Sequence, residues 1–172
     1  MSRLLTLFYC QDPRWILLLA YAAVLGFLEA WRRYGARSWF RPLCGLLLLP
    51  WCYVLLHLTL GNRPAGYCSE VLPIPFHFLK EIYMTGNWEL VRSMFMNALL
   101  FFPAGLLLTV LLPQSWSRRR VTVLVCLVFT LISVTLEGVQ LVYAMGRAET
   151  DDVLFNVLGA YLGTLPIVCR KK

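Results

Sequence analysis

Apolar residues run almost unbroken through five stretches of the chain, Trp15–Ala30, Pro42–Leu60, Met94–Leu112, Val121–Tyr143 and Val153–Val168. A helix takes about 20 mostly apolar residues to cross the hydrocarbon core of a bilayer, and these stretches come close to or reach that length. The links between them, WRRYGARSWFR, residues 61–93, PQSWSRRR and GRAETDD, are too polar to lie in hydrocarbon. The pattern predicts an all-α integral membrane bundle of five transmembrane helices, a single membrane domain over residues 1–172 with an outer loop at 61–93. Leu4–Cys10 is apolar but too short to cross and is expected at the membrane interface. The first stretch resembles the apolar region of a secretory signal. Its doubled arginine, Arg32 and Arg33, follows the apolar run instead of preceding it, so the segment is read as a retained span.

Composition agrees and charge orients the bundle. Of the 172 residues 59% are apolar and 15% charged, against about 45–50% and about 25% for soluble domains. Disorder is excluded, because the chain has ample apolar surface to bury. The net charge of +7 suggests nucleic acid only until the basic residues are placed. Ten of the 16 fall in three short pieces without acids: Arg32, Arg33, Arg37 and Arg41; Arg118, Arg119 and Arg120; Arg170, Lys171 and Lys172. The alternate pieces carry Asp12, Glu70, Glu81, Glu89, Glu149, Asp151 and Asp152. Short basic links on one side predict the N-terminus outside and the C-terminus in the cytoplasm. The basic excess reads as topology, with membrane lipids as neighbours and no nucleic-acid partner.

Motif chemistry is sparse. The six cysteines, Cys10, Cys44, Cys52, Cys68, Cys126 and Cys169, show no metal-ligand spacing, and only Cys10 and Cys68 share the outer side, where a disulfide is feasible. No phosphate-cradling loop, H-E-x-x-H or G-x-S-x-G occurs, so no cofactor and no metal are expected. His57 and His77 are read as satisfied polar residues. The outer loop is rich in Pro, Gly and aromatics; Phe76–Met84 is expected as a short interfacial helix, with Tyr67, Phe76, Phe78, Tyr83 and Trp88 as anchors at headgroup depth.

An ionisable side chain inside a span costs about 2.5–3.5 kcal/mol on insertion scales, so each one kept there asks for a reason. In the fourth span Ser133, Glu137 and Gln140 stand at i, i+4 and i+7, one helical face. In the fifth, Asp152, Asn156, Gly159 and Gly163 form one stripe whose inner half is G-x-x-x-G, a close-packing signature. Thr150 or Asp151 would cap that helix. Asn97 lies about a turn inside the third span, ahead of a kink at Pro103 and of Gly105. At 1.5 Å per residue Asn97, Glu137 and Asn156 share a depth in the outer leaflet, and Arg147 on the short fourth link is expected to reach down to Glu137 and Asp152. Taken singly, Asn97, Ser133 and Gln140 read as interhelical hydrogen bonds, and Pro103, Gly105, Gly159 and Gly163 as helix packing. Asn97, Ser133, Glu137, Gln140, Arg147, Asp151, Asp152 and Asn156 together read as one polar pocket. Glu29, beside Arg32 and Arg33, reads as a plain ion pair.

At these residues the sequence resembles the VanZ-like family of small bacterial membrane proteins, over about Leu72–Thr164. The resemblance rests on I-P-F at Ile74–Phe76, Asn97 with F-x-P-x-G at Phe102–Gly105, S-x-x-x-E-x-x-Q at Ser133–Gln140, Arg147, and D-D-x-x-x-N-x-x-G-x-x-x-G at Asp151–Gly163. Two departures show: Met96 stands where the family usually has glycine, and the stretch from Arg147 to Asp152 is short, with Thr150 in place of a common acid. The resemblance implies a multi-pass protein of the bacterial cytoplasmic membrane, accessory to resistance against lipid-tailed glycopeptides of the teicoplanin type.

Three functions fit the residues. A binding protein would hold the headgroup of a lipid-linked cell-wall precursor or a lipoglycopeptide, with Arg147 on a phosphate or carboxylate. An intramembrane enzyme would use Glu137 or Asp152 as general base, although no nucleophile is evident. A small lipid transporter of five spans without a repeat would need a homo-oligomer.

Overall fold

A computed structural model of the chain describes residues 13–35, 37–61, 65–66 and 68–169. The interfacial segment Leu4–Cys10, the Cys10–Cys68 pairing and Tyr67 lie outside the described residues. The chain divides into two compact units, Met1–Phe40 and Arg41–Lys172. In the first, helix α1 (Pro13–Tyr34) covers the first apolar stretch. Glu29 pairs with Arg32 at 2.9 Å and with Arg33 at 2.5 Å on its exposed face, pairs that contribute little in water. Phe40 folds back on Trp31 and Phe27, ring centroids 5.7 and 5.9 Å apart.

The second unit holds α2 (Phe40–Leu56) running into a π turn (His57–Gly61), strand β1 (Cys68–Leu72), α3 (His77–Thr85), α4 (Glu89–Leu111), α5 (Arg118–Val142), β2 (Met145–Glu149) and α6 (Thr150–Val168). Among the described residues four helices are long and apolar enough to cross a membrane: Phe40–Gly61, Glu89–Leu111, Arg118–Val142 and Thr150–Val168. The chain is a helical membrane protein. One feature departs from an all-α reading: β1 and β2 pair in parallel, Cys68 with Met145 through Leu72 with Glu149, at the end of the unit where α5 passes to α6.

The tightest packing lies between α4 and α6, and it is made by backbone. A Cβ on Gly159 would overlap the carbonyl of Ala98, one on Gly163 the carbonyl of Phe102, and one on Gly105 the backbone of Ala160. Three glycines on two helices therefore let the main chains touch, the small-residue contact that replaces hydrophobic drive in lipid. Around this seam Phe101, Ala104, Val121, Val125, Phe129 and Ala160 are buried, and Phe101 meets Phe129 edge-on at 5.9 Å. Pro103 lacks the N–H that would bond the Leu99 carbonyl and crowds that turn; the next carbonyl, Leu100, accepts the Trp51 indole N–H at 3.0 Å, which ties α2 to the kink.

The two ends differ in how their helices finish. At the end away from the sheet, the Arg41 guanidinium donates to the Leu111 and Leu112 carbonyls at 2.5 and 3.2 Å, closing the C-terminus of α4 where a cation is favoured. Ser117 caps α5 by accepting from the Arg120 N–H at 3.3 Å. At the sheet end the last turn of α2 widens into the π form, and its Thr59 carbonyl accepts from the Gln140 side chain at 3.1 Å.

Gly159→Ala is expected to lower the stability of the detergent-solubilised protein by about 1–3 kcal/mol through overpacking against Ala98. Gly138→Ala, whose added Cβ meets nothing within 4 Å, should leave it unchanged or slightly higher. Equal thermal unfolding of the two variants would contradict the backbone seam.

Candidate functional site

The polar residues singled out in the sequence gather at the sheet end, in two groups instead of one. The inner group is buried among α4, α5 and α6. Asn97 on α4 donates to the Asp152 carboxylate on α6 at 2.7 Å. Asn156, one turn further along α6, donates from Nδ2 to the Ser133 hydroxyl on α5 at 2.8 Å. Glu137, one turn beyond Ser133, accepts the backbone N–H of Glu149 at 3.1 Å, and so holds the entry to α6. Ser133, Glu137, Asp152 and Asn156 are all at least nine-tenths buried. Buried polar groups are stable in lipid when each meets a partner. One atom in the group does not: Asn156 Oδ1 is buried with no hydrogen-bond donor. Gln140, also buried, completes the α5 face by bonding α2 through Thr59.

The outer group lies on the strand pair and α3. Arg147 on β2 pairs with Glu149 at 3.0 Å and with Glu81 of α3 at 3.4 Å. Residues two apart on a strand share a face, which explains the Arg147–Glu149 contact, and the parallel register sets Glu70 beside Arg147. His77 Nδ1 stands 3.8 Å from the Glu81 carboxylate. Burial works to lower the Arg147 guanidinium, but Glu149, Glu81 and Glu70 outweigh it and hold its pKa above the ordinary value. Burial first, then Glu81 and Asp151, push the Glu149 carboxyl up against the opposing pull of Arg147. The cluster is partly open to water, Arg147 at 33% and Glu81 at 25% side-chain exposure.

Three placements correct the sequence reading. Arg147 does not descend to Glu137 and Asp152: strand pairing extends it sideways, toward Glu81 and Glu149. Asp151 neither caps its own helix nor opens into a pocket; it is buried, and its two oxygens accept the Phe76 and Phe78 N–H groups of α3 at 2.5 and 3.1 Å. The residue preceding α6 is Glu149, with no side-chain cap, in place of Thr150 or Asp151. Phe78 is half-buried, and its ring meets Phe155 edge-on at 5.6 Å. Phe76, Tyr83 and Trp88, expected as anchors from sequence, are exposed.

Asp151 reaches 75 residues back to cap a helix whose own preceding residue is Phe76 at φ 61°. A bulky residue in that left-handed region costs of order 1–3 kcal/mol, and two charge-assisted bonds to Asp151 offset it. Glu81, Glu149, Glu70, His77 and Thr59 were missed from sequence. The i, i+4 spacing of His77 and Glu81 on the predicted short helix was the one available signal; the rest depend on a strand pairing that leaves none. Among the described residues no group of three or more His, Cys, Asp or Glu is placed to hold a metal ion, and Cys44, Cys52, Cys126 and Cys169 are free thiols.

Residues 15–170 match the VanZ/LLP1 family. Protein VanZ of Enterococcus faecium is 35% identical over 80 residues, 46% of this chain and 44% of that protein, so the chain spans less than half the length of this curated relative. No solved structure matches the chain. The family match covers most of the sequence, and the chain belongs to the VanZ/LLP1 family.

Removing the carboxylate in Asp151→Ala is expected to weaken α3 by about 0.5–2 kcal/mol, the usual worth of an N-cap. Hydrogen exchange would show it as faster exchange confined to the 76–85 amides, with α4 to α6 unchanged. Unaltered exchange there would remove Asp151 from its capping role.

Proposed function

We propose that this VanZ/LLP1 member acts at the bacterial cytoplasmic membrane as an accessory to teicoplanin-type glycopeptide resistance, by engaging the headgroup of an envelope amphiphile at its sheet end. The amphiphile is the lipid-linked cell-wall precursor or the lipid-tailed drug itself. The observation that carries the reading is the outer cluster of Arg147, Glu81, Glu149 and His77. It is partly open to water, and the helix that carries His77 and Glu81 also exposes Leu79 and Tyr83, with exposed Phe76 just before it. Charged groups next to exposed aromatic and aliphatic side chains suit a ligand with a polar head and an apolar tail. Arg147 donates one Nη N–H to Glu81 and is ion-paired with Glu149; a guanidinium has five donors, so donors remain for a phosphate or carboxylate. The glutamates offer acceptors to sugar hydroxyls, and the buried inner group keeps the surrounding helix ends in place.

The same reading takes α1 as a fifth span, with the N-terminus outside and the C-terminus in the cytoplasm. The support is electrostatic: Arg41 and Arg118–Arg120 crowd the end away from the sheet, while Glu70, Glu81, Glu149 and Asp151 crowd the sheet end, as the positive-inside rule distributes basic residues.

Two measurements test these statements. Expression in a susceptible host is expected to raise the inhibitory concentration of a teicoplanin-type drug several-fold. Arg147→Ala and Glu81→Gln should abolish the increase at equal membrane levels, and an unchanged increase in both would exclude the cluster. In a background with the six native cysteines replaced, Lys80→Cys is expected to react with a membrane-impermeant thiol reagent in intact cells and Arg119→Cys only after lysis. The opposite labelling would invert the topology.

A further inference from the structure

α3 is fastened to its unit differently from the long helices that follow it. None of its residues is fully buried, and Leu79, Lys80, Tyr83 and Met84 are exposed, whereas α4, α5 and α6 each bury seven or more residues. What holds α3 is mainly polar. Asp151 accepts two N–H groups at its first turn, where the Phe78 ring also rests on Phe155. One turn further on, Glu81 pairs with Arg147 of β2 at 3.4 Å, about 0.5 Å longer than a tight charge-assisted bond. The chain on either side, residues 73–76 and 86–89, is exposed. Gly86 stands at φ 67°, and nothing lies within 4 Å of where its side chain would be. A helix with few buried contacts, set between two exposed links with a glycine in one of them, has the anatomy of a hinged element from the low-stability end of a fold.

We propose that α3 is a hinged lid latched to Arg147 by Glu81, and that it opens when an anionic headgroup takes the guanidinium in place of the Glu81 carboxylate. The second half rests on the reading of Arg147 as the receiver of that headgroup. A partly exposed ion pair contributes little, so the closed lid is only modestly favoured and exchange of one partner can release it. A ligand shifts such a balance only by binding one state better. Here it does so because Glu81 competes for the guanidinium when the lid is closed and leaves it when the lid is open. Arg147 keeps a partner throughout, since Glu149 lies on its own strand at 3.0 Å. The first turn of α3 is the better fastened end, so the turn that carries Glu81 and the link at Gly86 take the movement.

The test is the distance between spin labels at Tyr83→Cys on α3 and Val123→Cys on α5, both exposed positions, by double electron–electron resonance. It uses the full-length protein in dodecyl maltoside with the six native cysteines replaced. A closed distance and a second, minor one are expected. Glu81→Gln should raise the minor population about 2–5-fold, the worth of a partly exposed ion pair. Dodecyl phosphate should raise it saturably with Arg147 present, and dodecyltrimethylammonium, with the same tail and a cationic head, should not. Arg147→Ala, already unlatched, should show the raised population without the probe and no further response to it. A single distance that neither Glu81→Gln nor dodecyl phosphate moves overturns the lid. A broad spread without a second peak overturns it as well, since that marks melting of α3 in place of hinging. An equal response to the two charged amphiphiles overturns release by an anionic head. If Glu81→Gln opens the lid and dodecyl phosphate does not, that release is overturned together with the headgroup reading of Arg147, while the latch stands.

Discussion

Everything at the sheet end depends on two backbones being allowed to touch. Gly159 and Gly163 of α6 lie against the carbonyls of Ala98 and Phe102 on α4, and Gly105 answers from the other side against Ala160. In water the apolar side chains would supply the drive for such a contact; in lipid they supply none, and close van der Waals approach with satisfied polar groups takes its place. The approach also fixes rotation. A helix whose glycine face is pinned to α4 has no freedom left in where it points Asp152 and Asn156, since they sit on the same stripe. Asp152 is thereby delivered to Asn97, and Asn156, at the edge of the stripe, to Ser133 of α5.

The polar bonds then do for α5 what the glycines do for α4. Ser133, Glu137 and Gln140 each bond a different segment, α6, the residue before α6 and the π turn of α2. One face of one helix thus gathers three chain segments that are far apart in sequence. Inside a membrane each such bond is worth on the order of 1 kcal/mol, so no single one holds the unit together. What they add is register: a sliding of α5 by one turn would break all three at once and leave a carboxylate without its partner, which is far costlier than the loss of any one bond.

How much of this could be read beforehand follows from the range of each interaction. Helical periodicity is local, so four of the five expected spans, the Ser133–Glu137–Gln140 face and the Asp152–Gly163 stripe were legible, and α3 was expected within a residue of where it lies. The sheet was not. CSEVL and MGRAE are five residues each, without enough alternation to declare a strand, and they pair in parallel with partners 77 positions apart in sequence. Missing the strands displaced Arg147: on a flexible link a guanidinium snorkels toward the nearest buried acids, but on a strand its direction is set by the pleat, and the pleat aims it at Glu149 and Glu81. Asp151 was misplaced for a related reason. An acid in the first turn of a helix reads as serving that helix's dipole, and nothing local reveals that its oxygens satisfy amides 75 and 73 residues earlier.

The arginines and the acids show two different compromises with the helix dipole. Arg118, Arg119 and Arg120 open α5, where the dipole disfavours positive charge, and Ser117 and the stacking of Arg120 over Trp116 at 5.8 Å ease it. Such a sequence accepts a weaker helix start for the sake of an orientation signal. At the start of α6 the acids are favoured by the dipole, yet they are not left to it: Asp151 is diverted to α3, Asp152 to α4, and Glu137 arrives from α5 to hold the Glu149 amide. The N-terminus of α6 is therefore the point at which α3, α4, α5 and the strand pair meet. A ligand or ion that changes the charge there acts on all of them together, which gives the buried inner group a physical route to the partly exposed cluster on the strands.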